Sequence, residues 1–176
     1  SGRAQAIPAG PSELLVIAAP DADFESVAAD LLSQAEHDAD AQVLLVSDSG
    51  TALTEIVAEV ERQVETLPRA AVARASLEQA RAIRVADMAE ACAVANLYGP
   101  EHLSIQAEEA ERLVDRITAA GAVFVGQWAA ETLGDYAAGP SHVLPTDGGA
   151  RTLGGVTTAS FMTTMSVQTV TQGGAA

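Results

Sequence analysis

The sequence lacks the features that mark several large classes of proteins. Its single cysteine, Cys92, excludes an intrachain disulfide. No apolar run approaches the ~20 residues of a membrane-spanning helix. The sequence also lacks the basic start and following apolar stretch that are typical of a signal peptide. Lysine is absent, and nine arginines against 24 acidic residues leave a net charge of −15. Because phosphate binding needs clustered cations, we expect a cytoplasmic protein with neither nucleic acid nor a membrane as its partner.

What the 176 residues do contain is enough apolar material for one core. Hydrophobic residues make up 48% of the chain and aromatic residues only 3%, so Ala, Val, Leu and Ile must build that core. A chain of this length normally folds as one domain. We assign residues 9–170 to one α/β domain, residues 1–8 to a tag or boundary remnant, and residues 171–176 to a flexible tail.

Short apolar runs alternate with stretches of helical periodicity along most of the chain. The runs predict strands at residues 13–19, 42–46, 82–86 and 122–125. Apolar spacing and capping residues predict helices at residues 24–35, 53–67, 71–79, 87–96 and 110–121. This alternation predicts an α/β fold with a doubly wound, mostly parallel sheet, helices on both faces and an incomplete Rossmann-like topology. Because such sheets bind ligands beyond the carboxyl ends of their strands, we expect the chemistry after Ala86 and Val125.

Two short stretches place a histidine beside a second polar side chain. Gln34 and His37 lie three residues apart near the end of a predicted helix, which puts both on one face within reach of a single ion. Alternatively, His37 only stabilises the negative end of the helix dipole. Glu101 and His102 follow a Gly-Pro break, on a loop or a helix start, where such a pair can exchange protons near neutral pH. An ordinary surface turn is the alternative for this pair.

The third histidine lies in a stiff loop after the last predicted strand. In G-D-Y-A-A-G-P-S-H, Asp135 follows a glycine, and His142 is bounded by a Gly-Pro pair and by Pro145. Such a loop can hold an acidic ligand and a histidine in fixed places, although a purely structural loop has the same pattern. Taken together, the three stretches favour one composite metal site. The sequence has no phosphate-loop, nucleophile-elbow or Cys-x-x-Cys spacing.

Four ordered segments give the chain a specific resemblance. They read A-G-P-S-E-L-L-V-I-A, D-L-L-S-Q-A-E-H-D, N-L-Y-G-P-E-H-L-S-I-Q and G-D-Y-A-A-G-P-S-H-V-L-P-T. In their order and spacing, from about Pro8 to Val170, the chain resembles the histidinol dehydrogenase family. This zinc- and NAD-dependent family ends histidine biosynthesis by oxidising L-histidinol through L-histidinal to L-histidine. The resemblance therefore implies an oxidoreductase with NAD, one zinc ion per site and L-histidinol as its substrate.

The resemblance also implies a role for each motif residue. Glu101 matches the glutamate that activates water for the second oxidation, and His102 matches the histidine that carries the substrate proton. The implied zinc ligands are Gln34, His37 and Asp135. The implied substrate contacts are Ser12, Gln34, His37, His102, Asp135, Tyr136 and His142. The zinc is expected mainly to orient the substrate.

The chain resembles only a middle-to-late portion of a much longer family sequence. The family region with most of the NAD contacts lies upstream, so the NAD-binding residues stay unassigned. The family tail, which gives a fourth zinc ligand and a substrate-binding glutamate to the partner subunit of a homodimer, lies downstream. We therefore expect residues 9–170 to be a catalytic-domain portion that is inactive alone. The alternatives are an inert α/β half-domain and a zinc-dependent hydrolase with Glu101 as its base.

Overall fold

The computed structural model describes residues 10–136 and 138–174, and the side chains of Asp135 and Tyr136 lie outside that description. The predicted remnant at residues 1–8 also lies outside it, as do residues 175–176 of the predicted tail. The bounds assigned to the domain therefore stay predictions. In the described part of the chain, no helix is long and apolar enough to cross a membrane.

Five parallel strands form one sheet in the order β3-β2-β1-β4-β5. The strands are β1 (Glu13–Ala18), β2 (Gln42–Ser47), β3 (Arg81–Arg84), β4 (His102–Gln106) and β5 (Ala122–Val125). The helices are α1 (Phe24–Ala35), α2 (Gly50–Val64), α3 (Ala70–Leu77), α4 (Met88–Tyr98), α5 (Ala110–Val114) and α6 (Thr132–Tyr136). Short 3₁₀ turns follow at Gly149–Arg151, Thr158–Phe161 and Gln172–Gly174. The predicted fold class, a doubly wound α/β sheet, is confirmed.

The central strand β1 is buried on both of its faces. Its side chains alternate, so that Leu14 and Val16 pack with α1, α2 and α3, whereas Leu15 and Ile17 pack with α4 and α5. This double burial explains why the strand reads as a continuous apolar run. Cys92 of α4 is buried in the second of these two cores.

The expectation that Glu101 and His102 lie on a loop or a helix start is wrong for His102, which lies in the strand β4, but it holds for Glu101, which lies in the loop before that strand. His102 is the first residue of the strand and pairs with Leu14 of β1, while Glu101 lies directly before it. The strand alternates, because Leu103 and Ile105 join the core beneath α4. The polar side chains of the opposite face are those of His102, Ser104 and Gln106. All five residues of β4 are buried, and so is Glu101, so the alternative of an ordinary surface turn for this pair is wrong.

The predicted helix at residues 110–121 is too long. The helix α5 ends at Val114, and a loop runs from there to the start of β5. Asn96 of α4 holds this loop, because its amide oxygen accepts from the backbone N–H of Thr118 and its amide nitrogen donates to the carbonyl of Arg116. In a longer α5, the carbonyl of Arg116 and the N–H of Thr118 would form hydrogen bonds within the helix. Here the side chain of Asn96 supplies their partners instead.

The end of α4 directs the chain into β4. Gly99 follows the helix with a φ of 67°, a left-handed conformation that suits a residue without a Cβ atom. Pro100 comes next and cannot donate the hydrogen bond that would extend the helix. The chain therefore turns back to the sheet at once. As a result, Glu101 and His102 lie beside the start of β1.

Candidate functional site

A cavity of about 400 Å³ lies at the amino edge of the sheet, beside the starts of β1 and β4 and the end of α1. Its lining side chains are those of Ser12, Gln34, His37, Glu101, His102, Glu131 and His142. All of them except Glu131 are residues that the sequence analysis singled out. The other predicted site residues, Asp135 and Tyr136, have side chains outside the described part, and their backbone forms the end of α6.

The order of strands and helices explains why these side chains meet. Because α1 returns from the carboxyl end of β1 to the amino edge, its last turn carries Gln34 to that edge, and His37 follows. Ser12 directly precedes β1, and Glu101 directly precedes β4, the neighbour of β1 in the sheet. Residues distant in sequence are thus brought to one edge by the parallel topology.

The expectation that the chemistry lies at the carboxyl edge of the sheet is wrong for this cavity. Among the described residues, the segment that directly follows Ala86 supplies no lining side chain and instead begins α4, which Asp87 caps. The segment after Val125 does reach the cavity, but it first returns to the amino edge with Glu131 and His142. The general rule for doubly wound sheets does not describe this cavity, because most of its motif residues lie at the starts of β1 and β4 and at the end of α1.

The two candidate acid/base residues are both held by the backbone of Glu13. Glu101 and His102 are each 7% exposed. The Oε2 atom of Glu101 accepts from the backbone N–H of Glu13 at 3.0 Å. The Nδ1 atom of His102 lies 3.1 Å from the carbonyl oxygen of Glu13. Since a carbonyl oxygen can only accept, Nδ1 carries a hydrogen, and Nε2 is the ring nitrogen that can take up a proton.

Glu131 is a cavity residue that the sequence analysis missed. It is 5% exposed, and its Oε2 atom accepts from the hydroxyl of Ser33 at 3.5 Å. Its Oε1 atom lies 3.8 Å from Nδ1 of His102, the same distance that separates this nitrogen from Oε2 of Glu101. Two carboxylates therefore flank the ring and can stabilise positive charge on it. The surrounding A-A-E-T sequence has no periodicity or motif spacing that could have indicated this residue.

Another buried carboxylate, Asp30 of α1, faces the polar side of β4. It accepts from Nε2 of Gln106 at 3.2 Å, and also from the hydroxyl of Ser104 and the backbone N–H of Glu131. Burial raises the pKa of Asp30 from 3.8 to about 6, although these three hydrogen bonds act in the opposite direction. Asp30 thus joins α1, β4 and the Glu131 segment in one polar layer behind the cavity.

We expect the variant Asp30→Asn to gain stability relative to the parent chain as the pH rises from about 4 to about 7. The pKa of Asp30 is raised in the folded chain, so folding favours the protonated acid, and the parent loses this contribution as the carboxyl ionises. Asparagine resembles the protonated acid at every pH. The gain should reach roughly 2–3 kcal/mol in the free energy of unfolding.

Urea unfolding at several pH values measures this difference, with the exposed residue Asp115 giving the matched control Asp115→Asn. A difference between Asp30→Asn and the parent that stays constant from acid to neutral pH would contradict the expectation. The same result in both variants would show that the effect belongs to net charge and not to the buried carboxyl.

Two described side chains fit one half of a zinc site. Gln34 and His37 lie one helical turn apart and line the same cavity, with Gln34 buried and His37 exposed. Imidazole is a common zinc ligand, and an amide oxygen is a less common one. Among the described residues, no group of three or more His, Cys, Asp or Glu side chains is arranged to hold a metal ion. The third predicted ligand, Asp135, has its side chain outside the described part.

A different crevice, at the carboxyl edge between β1 and β4, does not fit NAD. Doubly wound sheets bind dinucleotides at this position, with the pyrophosphate at the amino end of a helix. Here the carboxylate of Asp23 already caps α1, and Asp21 and Glu108 line the crevice. The turn from β1 to α1 contains no glycine. These carboxylates would repel a pyrophosphate, so the crevice lacks the chemistry of a dinucleotide site.

Comparisons with known proteins all point to one family. The family model described as histidinol dehydrogenase matches residues 4–176. A histidinol dehydrogenase from Xanthomonas oryzae pv. oryzae is 49% identical over 170 residues, which cover 97% of this chain and 39% of that protein. The histidinol dehydrogenase of Escherichia coli (strain K12) is 47% identical over 173 residues, or 98% of this chain and 40% of that protein.

Similarity in three dimensions agrees with the similarity in sequence. The crystal structure of histidinol dehydrogenase from Elizabethkingia anophelis matches with a TM-score of 0.92 and 47% identity. The match covers 96% of this chain and 39% of that chain. The chain therefore spans about 40% of the length of the relatives that it matches.

Proposed function

Because the chain belongs to the histidinol dehydrogenase family of oxidoreductases, we propose that its amino-edge cavity takes part in the NAD-dependent oxidation of L-histidinol through L-histidinal to L-histidine. The observation that supports this proposal is the convergence of six motif side chains on one cavity. The proposal includes zinc and NAD as cofactors, a homodimer for the complete enzyme, and a cytoplasmic location.

His102 is the proposed base for the alcohol step. Oxidation of an alcohol removes a proton from the oxygen and a hydride from the carbon. We place the substrate hydroxyl against Nε2 of His102, which takes the proton while Nδ1–H stays bonded to the carbonyl of Glu13. The carboxylates of Glu101 and Glu131 then stabilise the imidazolium. The hydride acceptor of the reaction is NAD, whose binding residues stay unassigned, because the carboxyl-edge crevice does not fit it.

Glu101 is the proposed base for the aldehyde step. L-histidinal must add water at its carbonyl carbon before it can be oxidised to the acid. Glu101 takes a proton from this water as the oxygen bonds to the carbon, which gives the anion of the hydrate. Loss of a hydride from that carbon to NAD then gives L-histidine. The hydrogen bond from the backbone N–H of Glu13 fixes the orientation of the carboxylate, so the base is positioned before the water arrives.

Gln34 and His37, together with Asp135, would hold the zinc ion, which when bound orients the amino and imidazole groups of the substrate. We expect His37→Asn to lower zinc affinity by at least ~10–100-fold, since a ligand is lost. His142→Asn is the matched control, because His142 is an exposed histidine of the same cavity that is not among the predicted ligands. Competition with a chromophoric chelator measures the affinities. Equal affinities in parent and His37→Asn, or equal losses in both variants, would overturn the ligand assignment.

A chimera tests the proposed function directly. In it, this chain replaces the matching 40% of the Escherichia coli relative. We expect the chimera to form NADH from L-histidinol in the presence of zinc, and the isolated 176-residue chain to form none. A chimera that folds and binds zinc but does not oxidise L-histidinol would count against the proposal. It would favour the second candidate, an inert α/β module, whose carboxyl-edge crevice between β1 and β4 is lined by the carboxylates of Asp21 and Glu108.

A further inference from the structure

We infer that Glu13 is a positioning residue that sets the orientation of Glu101 and His102 together. This inference rests on the proposed function, because it concerns the residues proposed to move protons. Glu13 is the first residue of β1, is 1% exposed, and is not among the residues that line the amino-edge cavity. It was predicted only as the first residue of an apolar strand.

The backbone of Glu13 contacts both proposed bases. Its N–H donates to Oε2 of Glu101 at 3.0 Å, and its carbonyl oxygen accepts from Nδ1 of His102 at 3.1 Å. One peptide segment therefore fixes the carboxylate of Glu101 and selects the ring tautomer of His102. Any movement of the start of β1 relative to β4 would disturb both proton-transfer groups at once.

The side chain of Glu13 prevents that movement. Its Oε2 atom accepts from the backbone N–H of Glu101 at 3.3 Å, so Glu13 and Glu101 each accept from the backbone of the other. Its Oε1 atom accepts from the backbone N–H of Asp147 at 2.8 Å. One carboxylate thus joins the start of β1, the start of β4 and the loop that contains Asp147. A second bond supports the same loop, because the N–H of Gly10 donates to Thr146.

The strand β1 does not need a carboxylate at position 13 in order to form. Burial raises the pKa of Glu13, which reports that ionisation is disfavoured there, although the hydrogen bonds from Asp147 and Glu101 lower it. No ion pair within the described residues involves Glu13. An apolar residue would continue the pattern of β1 without this cost. What the carboxylate adds is two acceptor atoms aimed at two separate backbone segments.

Glutamine cannot replace this arrangement although it has nearly the same shape. A carboxylate offers acceptors on both oxygens, whereas an amide offers one oxygen and one NH₂ donor. In Glu13→Gln, either the N–H of Glu101 or the N–H of Asp147 would face that NH₂ group and lose its partner. We therefore expect the start of β4 to shift, and the proposed catalytic pair with it.

Kinetics in the chimera give the first test. Glu13→Gln should lower kcat for both oxidation steps by roughly 10–100-fold, the loss expected for misplaced catalytic groups, while KM for NAD stays unchanged. Glu90→Gln is the control, because Glu90 also accepts from a backbone N–H, that of Ala86 at 2.6 Å, but lies outside the cavity. It should keep the parental kcat. A Glu13→Gln chimera with parental kcat for both steps would overturn the inference.

Nuclear magnetic resonance of the isolated chain gives a test that does not depend on activity. With only three histidines, the ¹⁵N signals of His102 can be assigned, and they distinguish the two ring tautomers. The parent should show His102 with its hydrogen on Nδ1, and Glu13→Gln should show a mixture. A parental tautomer in the folded variant would overturn the inference, even if the parent chimera were inactive and the proposed function had failed. If Glu13→Gln does not fold, Glu13→Asp, whose shorter side chain cannot reach both N–H groups, should give the same mixture.

Discussion

Replacing Glu101 with glutamine in the chimera should lower the rate of L-histidinal oxidation by roughly 10²–10⁴-fold, the range expected when a general base is removed. Glutamine keeps the shape of the side chain and can still accept from the N–H of Glu13 through its amide oxygen. It cannot take a proton from water. The oxidation of L-histidinol to L-histidinal requires no water, so that step should fall much less.

The two steps are separated by supplying L-histidinol and L-histidinal as alternative substrates in single-turnover experiments. Equal losses in both steps would argue that Glu101 serves the whole site and not the hydration of the aldehyde. Glu131→Gln is the matched control, because Glu131 lies as far from Nδ1 of His102 as Glu101 does. It should slow the oxidation of L-histidinol more than the oxidation of L-histidinal, since its carboxylate stabilises charge on the ring of His102 in the first step.

Replacing His102 with glutamine should lower the rate of L-histidinol oxidation by a similar ~10²–10⁴-fold, because the proton acceptor at Nε2 is lost. A second expectation concerns how the rate of this variant depends on pH. Without a base on the protein, hydroxide must remove the proton, so the rate of His102→Gln should keep rising with pH where the parent has reached a plateau. Steady-state rates between neutral and alkaline pH measure this slope.

His142→Gln provides the comparison for His102→Gln. His142 is exposed and lines the same cavity, but its predicted role is contact with the substrate. It should raise KM for L-histidinol with a small change in kcat and leave the shape of the pH profile intact. A His102→Gln variant that keeps the parental plateau, or that changes only KM, would assign the proton transfer to another group.

Much of the fold could be predicted because the apolar pattern and the capping residues of most elements agree with their positions in the folded chain. The strand β1 is apolar at nearly every position since it is buried on both faces, and α1 begins where Asp23 accepts from the N–H of Glu25. The strand β4 could not be predicted in the same way. Its inward polar residues look like those of an exposed segment, and only the tertiary environment shows that they are buried. The end of α5 depends on Asn96, whose bonds to a distant loop leave no trace in the local pattern.

The site was predictable to the extent that its residues stand in motifs. Six predicted side chains line one cavity, and their metal-binding and acid/base roles stay predictions. Glu13 and Glu131 were not predicted as site residues because their importance lies in contacts across the fold. Glu13 reads as the edge of an apolar strand, and Glu131 stands in a segment without periodicity. Their contributions depend on the distances of particular atoms to Glu101 and His102.

The alternating faces of β4 have a consequence for misfolding. Because side chains alternate along a strand, a slip of β4 by one residue against β1 would turn every side chain to the opposite face. Leu103 and Ile105 would then enter the polar layer beside Asp30, and His102 and Gln106 would enter the apolar core. Both changes cost free energy, so both oppose the slip. The polar side chains of this face, which include the proposed base His102, therefore also favour the native strand register. Mutations that make this face apolar should widen the range of misregistered states.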